Sequence, residues 1–211
     1  IRVSLDTSQS VTWTPEPPVA CRTPMPQQLE VTGRLLKQIH AAEGDKGFLF
    51  VSQPQQPVMD SIQVKINAAC QQVLHAFRSQ DLVGIQAASE TLLGAGGGLT
   101  PSGDDFLTGF FLYHIRVCHS LEISPEFSLL ALDEVIRRAR EKTTTISVNR
   151  LQAARNGWAE DIFLKLLDHL FDPNLQPLPE NLVQILFNFG HSSGIDTLVG
   201  IHFGISSLIK K

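Results

Sequence analysis

The stretch that decides the fold reads "SGDDFLTGF" at residues 102–110, and a close copy, "SGIDTLVGI", follows at residues 193–201. The two copies share Ser, Gly, Asp, Leu and Gly at five matching positions. Each copy opens a segment whose apolar residues have helical spacing. We therefore expect two α-helices that begin with the same motif.

The second glycine of each copy falls inside the expected helix, at Gly109 and Gly200. A glycine in a helix interior costs about 1 kcal/mol relative to alanine. It is tolerated where a second backbone must come close, so we expect the two helices to cross near these glycines. Their N-termini would then start from neighbouring loops, and two converging N-termini form a site that attracts anions.

Helix capping is the alternative explanation of the shared serines and aspartates. Ser102 and Ser193 would be N-cap residues, and Asp105 and Asp196 would return a hydrogen bond as in a capping box. A second register places the N-cap at Thr100, with a proline at the first helical position. Capping explains the polar residues of the motif but leaves the glycines unexplained.

The first copy is preceded by glycines, so residues 94–105 read "GAGGGLTPSGDD". A loop of this composition lets backbone N–H groups approach a phosphate closely. It is neither a Walker A loop, since no Lys follows, nor a dinucleotide fingerprint, since the run ends in Leu99. The glycines expected to bind a ligand are Gly96, Gly97 and Gly98.

Asp104 is the aspartate without a repeated counterpart, because Ile195 takes its place in the second copy. Carboxylates at a helix start compete with a bound anion, unless they act as caps or hold a Mg²⁺ that bridges to the anion. Since the repeat gives Asp104 no structural role, we predict it as a catalytic residue. Asp104 and Asp105 are the predicted Mg²⁺ ligands.

A third polar stretch, "KTTTISVNRLQAARNGW", covers residues 142–158. On a helix, Thr144 and Ser147 share one face and Arg150 lies beside it. Hydroxyls with an arginine suit a carboxylate or a phosphate. The plainer interpretation makes Thr143 or Thr144 an N-cap.

His191 precedes the second copy of the motif. A histidine at a helix start can donate a proton or polarise a carbonyl group, although such residues are as often structural. We predict His191 as the second catalytic candidate.

Composition excludes several classes of protein. The chain has 211 residues, is 43% hydrophobic and carries a net charge of −4, so it can bury a core and does not suit nucleic acid. It contains no apolar run long enough to cross a membrane. The odd set Cys21, Cys70 and Cys118 suits a reducing compartment, and we expect the cytoplasm. Because the chain starts with Ile1, we expect a processed or truncated N-terminus.

The predicted fold class is mainly α, with a helical body and a small N-terminal β segment. Residues 1–5 and 10–13 read as short strands, and a proline-rich connector follows. We divide the chain into residues 1–26 and a single helical domain over 27–211. An α+β fold would result if a preceding region added strands. Helices are predicted near residues 27–42, 59–78, 82–94, 102–119, 125–141, 144–171 with a break at 157, 180–189 and 192–210.

Three stretches together resemble the AllH/YlbF-type family: "GGGLTPSGDDFLTGF", "TTTISVNRLQAARNG" and "FGHSSGIDTLVGIHFG". The resemblance covers residues 94–208. It implies one of three kinds of subunit of oxamate carbamoyltransferase, in anaerobic allantoin breakdown, a branch of purine catabolism. That enzyme moves a carbamoyl group between phosphate and oxamate. The residues carried over from the resemblance are Gly98, Thr100, Ser102, Asp104, Asp105, Thr144, Ser147, His191, Ser193 and Asp196.

Two functional hypotheses follow. In the first, the chain is a transferase subunit that binds carbamoyl phosphate, oxamate or a similar small anion at the two helix starts, together with other subunits. In the second, it is a non-catalytic assembly or regulatory subunit whose motifs cap and pack helices. Neither hypothesis involves nucleic acid or a membrane.

Overall fold

The two helices that begin with the repeated motif lie at the centre of the fold. The computed structural model describes residues 14–44, 46–52 and 60–209; in it, α4 spans Ser102–Ser120 and α9 spans Ser193–Leu208. Nearly all residues of both helices are buried, and the two helices make the most extensive contact in the described part of the chain. A helix that is buried on all sides belongs in a protein core.

The mainly α class is confirmed, because the described residues form helices and no β-strand. Most of the other helices pack around the central pair. They are α1 (Met25–Glu43), α2 (Ser61–Arg78), α3 (Leu82–Leu92), α5 (Glu126–Lys142), α6 (Thr145–Arg155), α7 (Asp161–Phe171) and α8 (Leu182–Asn188), with a 3-10 turn at Leu49–Ser52.

Three other segments complete the comparison between the sequence and the structure. The predicted strands at residues 1–5 and 10–13 lie outside the described residues. The segment "KGFLFV" at residues 46–51, whose apolar run is compatible with a short strand or with a buried turn, leads into the 3-10 turn Leu49–Ser52, in which Leu49 is fully buried. The predicted break near Gly157 is confirmed, because this residue has φ +72° and separates α6 from α7.

The crossing of α4 and α9 near their internal glycines is confirmed. A Cβ atom at Gly109 would overlap the carbonyl oxygen of Thr197, and one at Gly200 would overlap the carbonyl oxygen of Phe106. Thr197 and Phe106 are equivalent positions of the repeat. The two helices are therefore related by a local two-fold arrangement, in which each glycine admits the backbone of the other helix.

The first glycine of each motif has a packing role that the sequence did not reveal. A Cβ atom at Gly103 would overlap the carbonyl oxygen of Leu92 at the end of α3. A Cβ atom at Gly194 would overlap the carbonyl oxygen of Leu186 in α8. Each central helix therefore starts in close contact with the helix that precedes it in the chain.

The predicted capping boxes are wrong in both registers. The N-cap of α4 is Pro101 and that of α9 is Ser192, and neither makes a side-chain capping hydrogen bond. Ser102 and Ser193 are instead the first residues inside their helices. Loop carbonyls satisfy early backbone donors: Gly103 donates to Ala95 at 2.9 Å, and Gly194 donates to Phe189 at 3.1 Å. The serine hydroxyls and the aspartates of the motif are thus left for other contacts.

The connector that precedes α1 is attached to the helical body along its described part. Arg22 and Thr23 donate backbone hydrogen bonds to the carbonyl of Phe171, at 2.9 and 3.0 Å.

Buried Arg116 donates to Asp168 at 3.0 Å and to the carbonyl of Gly157 at 3.1 Å. The division of the chain at residue 26 remains a prediction.

Candidate functional site

The starts of α4 and α9 contact each other through paired hydroxyl groups. Thr100 Oγ1 lies 2.8 Å from Ser193 Oγ, and Ser102 Oγ lies 3.3 Å from Ser192 Oγ. Each pair joins a residue at the start of α4 to a residue at the start of α9. The sequence prediction that the two helix starts are neighbours is therefore confirmed.

The repeated aspartates lie beneath these hydroxyls, in the protein interior. Asp105 is 1% exposed and Asp196 is fully buried. Asp105 accepts a hydrogen bond from Arg150, and Asp196 accepts one from the backbone N–H of Phe48 at 2.6 Å. The second oxygen of each carboxylate, Oδ2, has no hydrogen-bond partner among the described residues.

Burial sets the pKa of both repeated aspartates. It raises the pKa of Asp105 to about 7, against the opposing effects of the Arg150 charge and of the nearby Ser193 and Thr100 hydroxyls. The negative charge of Asp196 adds to the increase. Burial also raises the pKa of Asp196, although the Phe48 N–H, the nearby hydroxyls and the charge of His191 oppose it. The surrounding donors and positive charges therefore do not fully offset the cost of burying either negative charge.

Asp104 has the structural role that the sequence comparison denied it. Its Oδ1 accepts from the backbone N–H of Gly94 at 2.9 Å, and its Oδ2 accepts from the hydroxyl of Thr143. Both oxygens are thus used to fix the start of the glycine loop and the segment before α6. The inference that Asp104 lacks a structural role is wrong; its predicted catalytic and metal-binding roles remain predictions.

The glycine loop is open to solvent above the helix starts. Gly96 and Gly98 have φ +113° and +92°, a conformation that favours glycine. A Cβ atom at Gly97 or Gly98 would meet nothing within 4 Å, and the side chain of Leu99 is 72% exposed. The loop therefore presents its backbone to solvent.

The third predicted stretch meets the same region. Thr144 is the N-cap of α6, since its Oγ1 accepts from the N–H of Ser147 at 3.1 Å, so the capping interpretation is confirmed. Its hydroxyl also lies 2.6 Å from the carbonyl oxygen of Leu99 in the glycine loop. Ser147 is buried beside it. Thr144 therefore anchors the loop in addition to capping the helix.

Arg150 is paired rather than free. Its guanidinium group contacts Asp105 on one side and Glu160 on the other, where Nε lies 3.0 Å from Oε1. Its side chain is 13% exposed, and it lines a cavity of about 340 Å³ together with Thr108 and Trp158. The arginine thus connects a buried carboxylate of the repeat with a cavity at the surface.

Several contributors to the region were not found from the sequence. Phe48 reaches Asp196 from a turn far away in the chain, and Gly47, with φ +54°, lies so close that a Cβ atom would overlap that carboxylate. Ser192, Thr143 and Glu160 are the other missed partners. Apart from Ser192, the first serine of "HSSG", and Thr143, which is one of the capping candidates, none of them carries a sequence signal. His191 is exposed at the rim.

Two further properties concern the part of the chain that the structure describes. It contains no cluster of three or more His, Cys, Asp or Glu side chains of the kind that holds a metal. None of its helices combines the length and the apolar character needed to cross a membrane.

A comparison with known families matches residues 92–205 to the family of oxamate carbamoyltransferase subunit AllH. The matched range begins at the end of α3 and extends into α9, so it includes both copies of the motif and the α6 stretch. No solved structure matches this chain. Because the match covers more than half of the chain, the protein belongs to the AllH family of oxamate carbamoyltransferase subunits.

Proposed function

We propose that this protein is the subunit of an oxamate carbamoyltransferase that binds a small anionic substrate, carbamoyl phosphate or oxamate, at the joined starts of α4 and α9. The observation that carries the proposal is the double hydroxyl pair, Thr100 with Ser193 and Ser102 with Ser192. These hydroxyls lie between the open glycine loop and the buried carboxylates. Other subunits of the enzyme are the expected partners.

The charges of the region limit where an anion can lie. Asp105 and Asp196 already occupy the interior ends of the two helix starts, so an anion would be repelled at their depth. The exposed loop over Gly96, Gly97 and Gly98 is farther out, and its N–H groups suit a phosphate or a carboxylate. We therefore place the anion at the level of the loop and the hydroxyls.

Polar side chains near this level have defined parts in the proposal. Arg150 neutralises Asp105 and lines the adjacent cavity, which reduces the repulsion of an incoming anion. His191 lies at the exposed rim, close enough to Asp196 for its charge to lower that pKa. We assign to it the donation of a proton or the polarisation of the carbamoyl oxygen of a ligand bound there.

The cytoplasm is the proposed location. Cys21, Cys70 and Cys118 are all free, which is typical of a reducing compartment.

Isothermal titration of the assembled enzyme with carbamoyl phosphate, phosphate and oxamate tests the proposal. We expect Thr100→Val and Ser193→Ala to weaken binding of at least one of these anions by about tenfold, because each removes one hydroxyl of a pair. Ser79→Ala, which removes an exposed hydroxyl at the end of α2, is the matched control. Absence of binding at millimolar anion by the assembled enzyme would rule the proposal out.

A second function is favoured by one observation: several polar groups and glycines of the motifs already have structural contacts within the chain. Asp104 holds the glycine loop, Arg150 holds Asp105, and the glycines admit neighbouring backbones. An assembly or regulatory subunit requires nothing more. Unchanged turnover of the assembled enzyme with Thr100→Val and Ser193→Ala, at unchanged thermal stability, would favour this second function.

A further inference from the structure

Two carboxylate oxygens in the protein interior lack a partner, and they belong to equivalent residues of the repeat. Asp105 Oδ2 and Asp196 Oδ2 are both inaccessible to solvent and accept no hydrogen bond from the described residues. Such an atom is expensive to bury, and nearly all buried polar groups have a partner. Because the two carboxylates lie at helix starts that contact each other, a single bound group can serve both oxygens.

Besides Arg150 and the Phe48 N–H, the groups around these two carboxylates include several hydroxyls. The hydroxyls of Ser193 and Thr100 lie beside Asp105, and those of Ser102 and Ser192 lie beside Asp196. The hydroxyl pairs bring both sets together, and the two carboxylates are close enough to repel each other. Carboxylate and hydroxyl oxygens are ligands of hard cations such as Mg²⁺.

The positive charge around the aspartates is insufficient for two buried carboxylates. Arg150 is shared between Asp105 and Glu160, and Asp196 has the neutral donors Phe48 N–H, Ser102 and Ser192 together with the exposed His191. A bound cation would supply the missing charge and at the same time satisfy both free oxygens.

We propose that Asp105 and Asp196 together bind one divalent cation of the Mg²⁺ class, with the neighbouring serine and threonine hydroxyls as further oxygen ligands. Asp104 does not belong to this set, because its two oxygens bind Gly94 and Thr143. In this arrangement the cation lies deeper in the protein than the anion of the proposed function. One oxygen of that anion would be a further ligand of the cation. That last role rests on the proposed function, whereas cation binding does not.

Mn²⁺ is the probe, since its electron paramagnetic resonance signal decreases when the free ion binds to protein. The full chain, first freed of metal with EDTA, is titrated with Mn²⁺ without any anion. We expect one site that Mg²⁺ displaces, and a Kd raised by at least about tenfold in both Asp105→Asn and Asp196→Asn. Asp133→Asn, which alters an exposed carboxylate of α5, is the matched control.

Three results would overturn the proposal. The first is an unchanged Mn²⁺ affinity in Asp196→Asn. The second is a loss of affinity in Asp104→Asn but not in Asp196→Asn, which would assign the metal to neighbouring aspartates of α4. The third is the absence of Mn²⁺ binding by the wild-type chain, which would mean that a proton stabilises the pair.

Two further experiments distinguish loss of the cation site from a folding defect and from failure of the proposed function. Ser102→Ala and Ser192→Ala remove hydroxyl ligands without exchanging a buried carboxylate, and we expect each to reduce the rise in Tm that Mn²⁺ causes in the wild type. Anion binding is then measured with EDTA and with Mg²⁺. Anion binding together with absence of Mn²⁺ binding would leave the proposed function in place and overturn only the cation site.

Discussion

Gly109 and Gly200 occupy equivalent positions in the crossing of α4 and α9, and each lies against the backbone of the opposite helix. The same relationship holds for their contacts, Thr197 and Phe106, which are equivalent positions of the repeat. The crossing therefore fixes the relative position of the two helix starts. Since the hydroxyls and carboxylates of the candidate site are carried by those starts, the geometry of the site depends on the two glycines.

Alanine at either glycine is expected to destabilise the fold. The added Cβ atom of Gly109→Ala or Gly200→Ala overlaps a backbone carbonyl oxygen, which cannot move without displacing its helix. We expect a loss of about 2 kcal/mol or more in the free energy of unfolding, even after the gain of about 1 kcal/mol in helix propensity. Urea unfolding measures this loss.

Gly33→Ala is the matched control, because Gly33 also lies inside a helix. Its Cβ atom would meet His202 at an ordinary 3.7 Å. Only the propensity term remains, so this substitution should stabilise the protein by up to about 1 kcal/mol. If Gly109→Ala behaved like Gly33→Ala, the close crossing of the two helices would be wrong.

The crossing was predictable from the sequence because it depends on a local pattern. A repeated motif with a glycine inside each helix requires a close approach, and the repeat itself names the two helices that meet. The helical body follows from the spacing of the apolar residues for the same reason. The N-cap of α6 at Thr144 is likewise a local feature, decided by a hydroxyl and an N–H three residues apart.

The partners of the site residues were not predictable, because they are distant in the chain. Asp104 binds Thr143, 39 positions away, and Asp196 binds the N–H of Phe48, 148 positions away. No local sequence pattern indicates either of these two contacts. From the motif, Asp105 and Asp196 could be caps or ligand-binding residues, and Asp104 was predicted as a catalytic residue and, with Asp105, as a Mg²⁺ ligand. The carboxylate oxygens without a partner in the structure belong to Asp105 and Asp196.

A double-mutant cycle between Asp104 and Thr143 measures the structural role of Asp104. Asp104→Ala leaves the Thr143 hydroxyl and the Gly94 N–H without their partner, so we expect a loss of about 2 to 3 kcal/mol in stability. Thr143→Val should cost about 1 kcal/mol. Because the residues are in contact, the double mutant should lose about 1 kcal/mol less than the two single effects together.

The control cycle for Asp104 pairs it with Ser79, an exposed residue at the end of α2. Asp104→Ala and Ser79→Ala should be additive within about half a kcal/mol. Additivity in the Thr143 cycle as well would contradict the hydrogen bond between Asp104 and Thr143. All variants are compared by urea unfolding at one pH.

Arg150 and Arg155 allow a comparison of a buried and an exposed ion pair on one helix. Arg150 neutralises Asp105, which is 1% exposed, whereas Arg155 binds Asp133 with both side chains more than 40% exposed. Arg150→Met should cost about 3 to 5 kcal/mol, because it leaves a buried carboxylate without its cation. Arg155→Met should cost less than about 1 kcal/mol.

A second substitution is expected to restore part of the stability that Arg150→Met loses. Asp105→Asn, introduced together with Arg150→Met, removes the uncompensated charge and should restore part of the lost stability. Denaturant unfolding of the single and double variants gives both numbers. Equal and small losses for Arg150→Met and Arg155→Met would show that Asp105 does not depend on the arginine.

Two histidines, the buried His114 and the partly buried His202, should make the protein less stable in mild acid. Burial lowers the pKa of His202 to about 4 and that of His114 to about 3, against an ordinary value of 6.5. As the pH falls below about 6.5, the unfolded chain takes up a proton on each histidine and the folded chain does not. Stability is therefore complete above that pH and decreases as the pH falls towards 4.

His202→Gln isolates one of these contributions. Between pH 7.5 and pH 5 the wild type should lose about 2 kcal/mol through His202 alone, and the variant should not have this loss. At pH 7.5 the variant itself is slightly less stable, because His202 Nδ1 lies 2.8 Å from the Thr32 hydroxyl. Replacing the exposed His75 by Gln provides the control. An equal decrease in the free energy of unfolding for the wild type and His202→Gln would mean that His202 is protonated in the folded chain, and its burial between α1 and α9 would then be wrong.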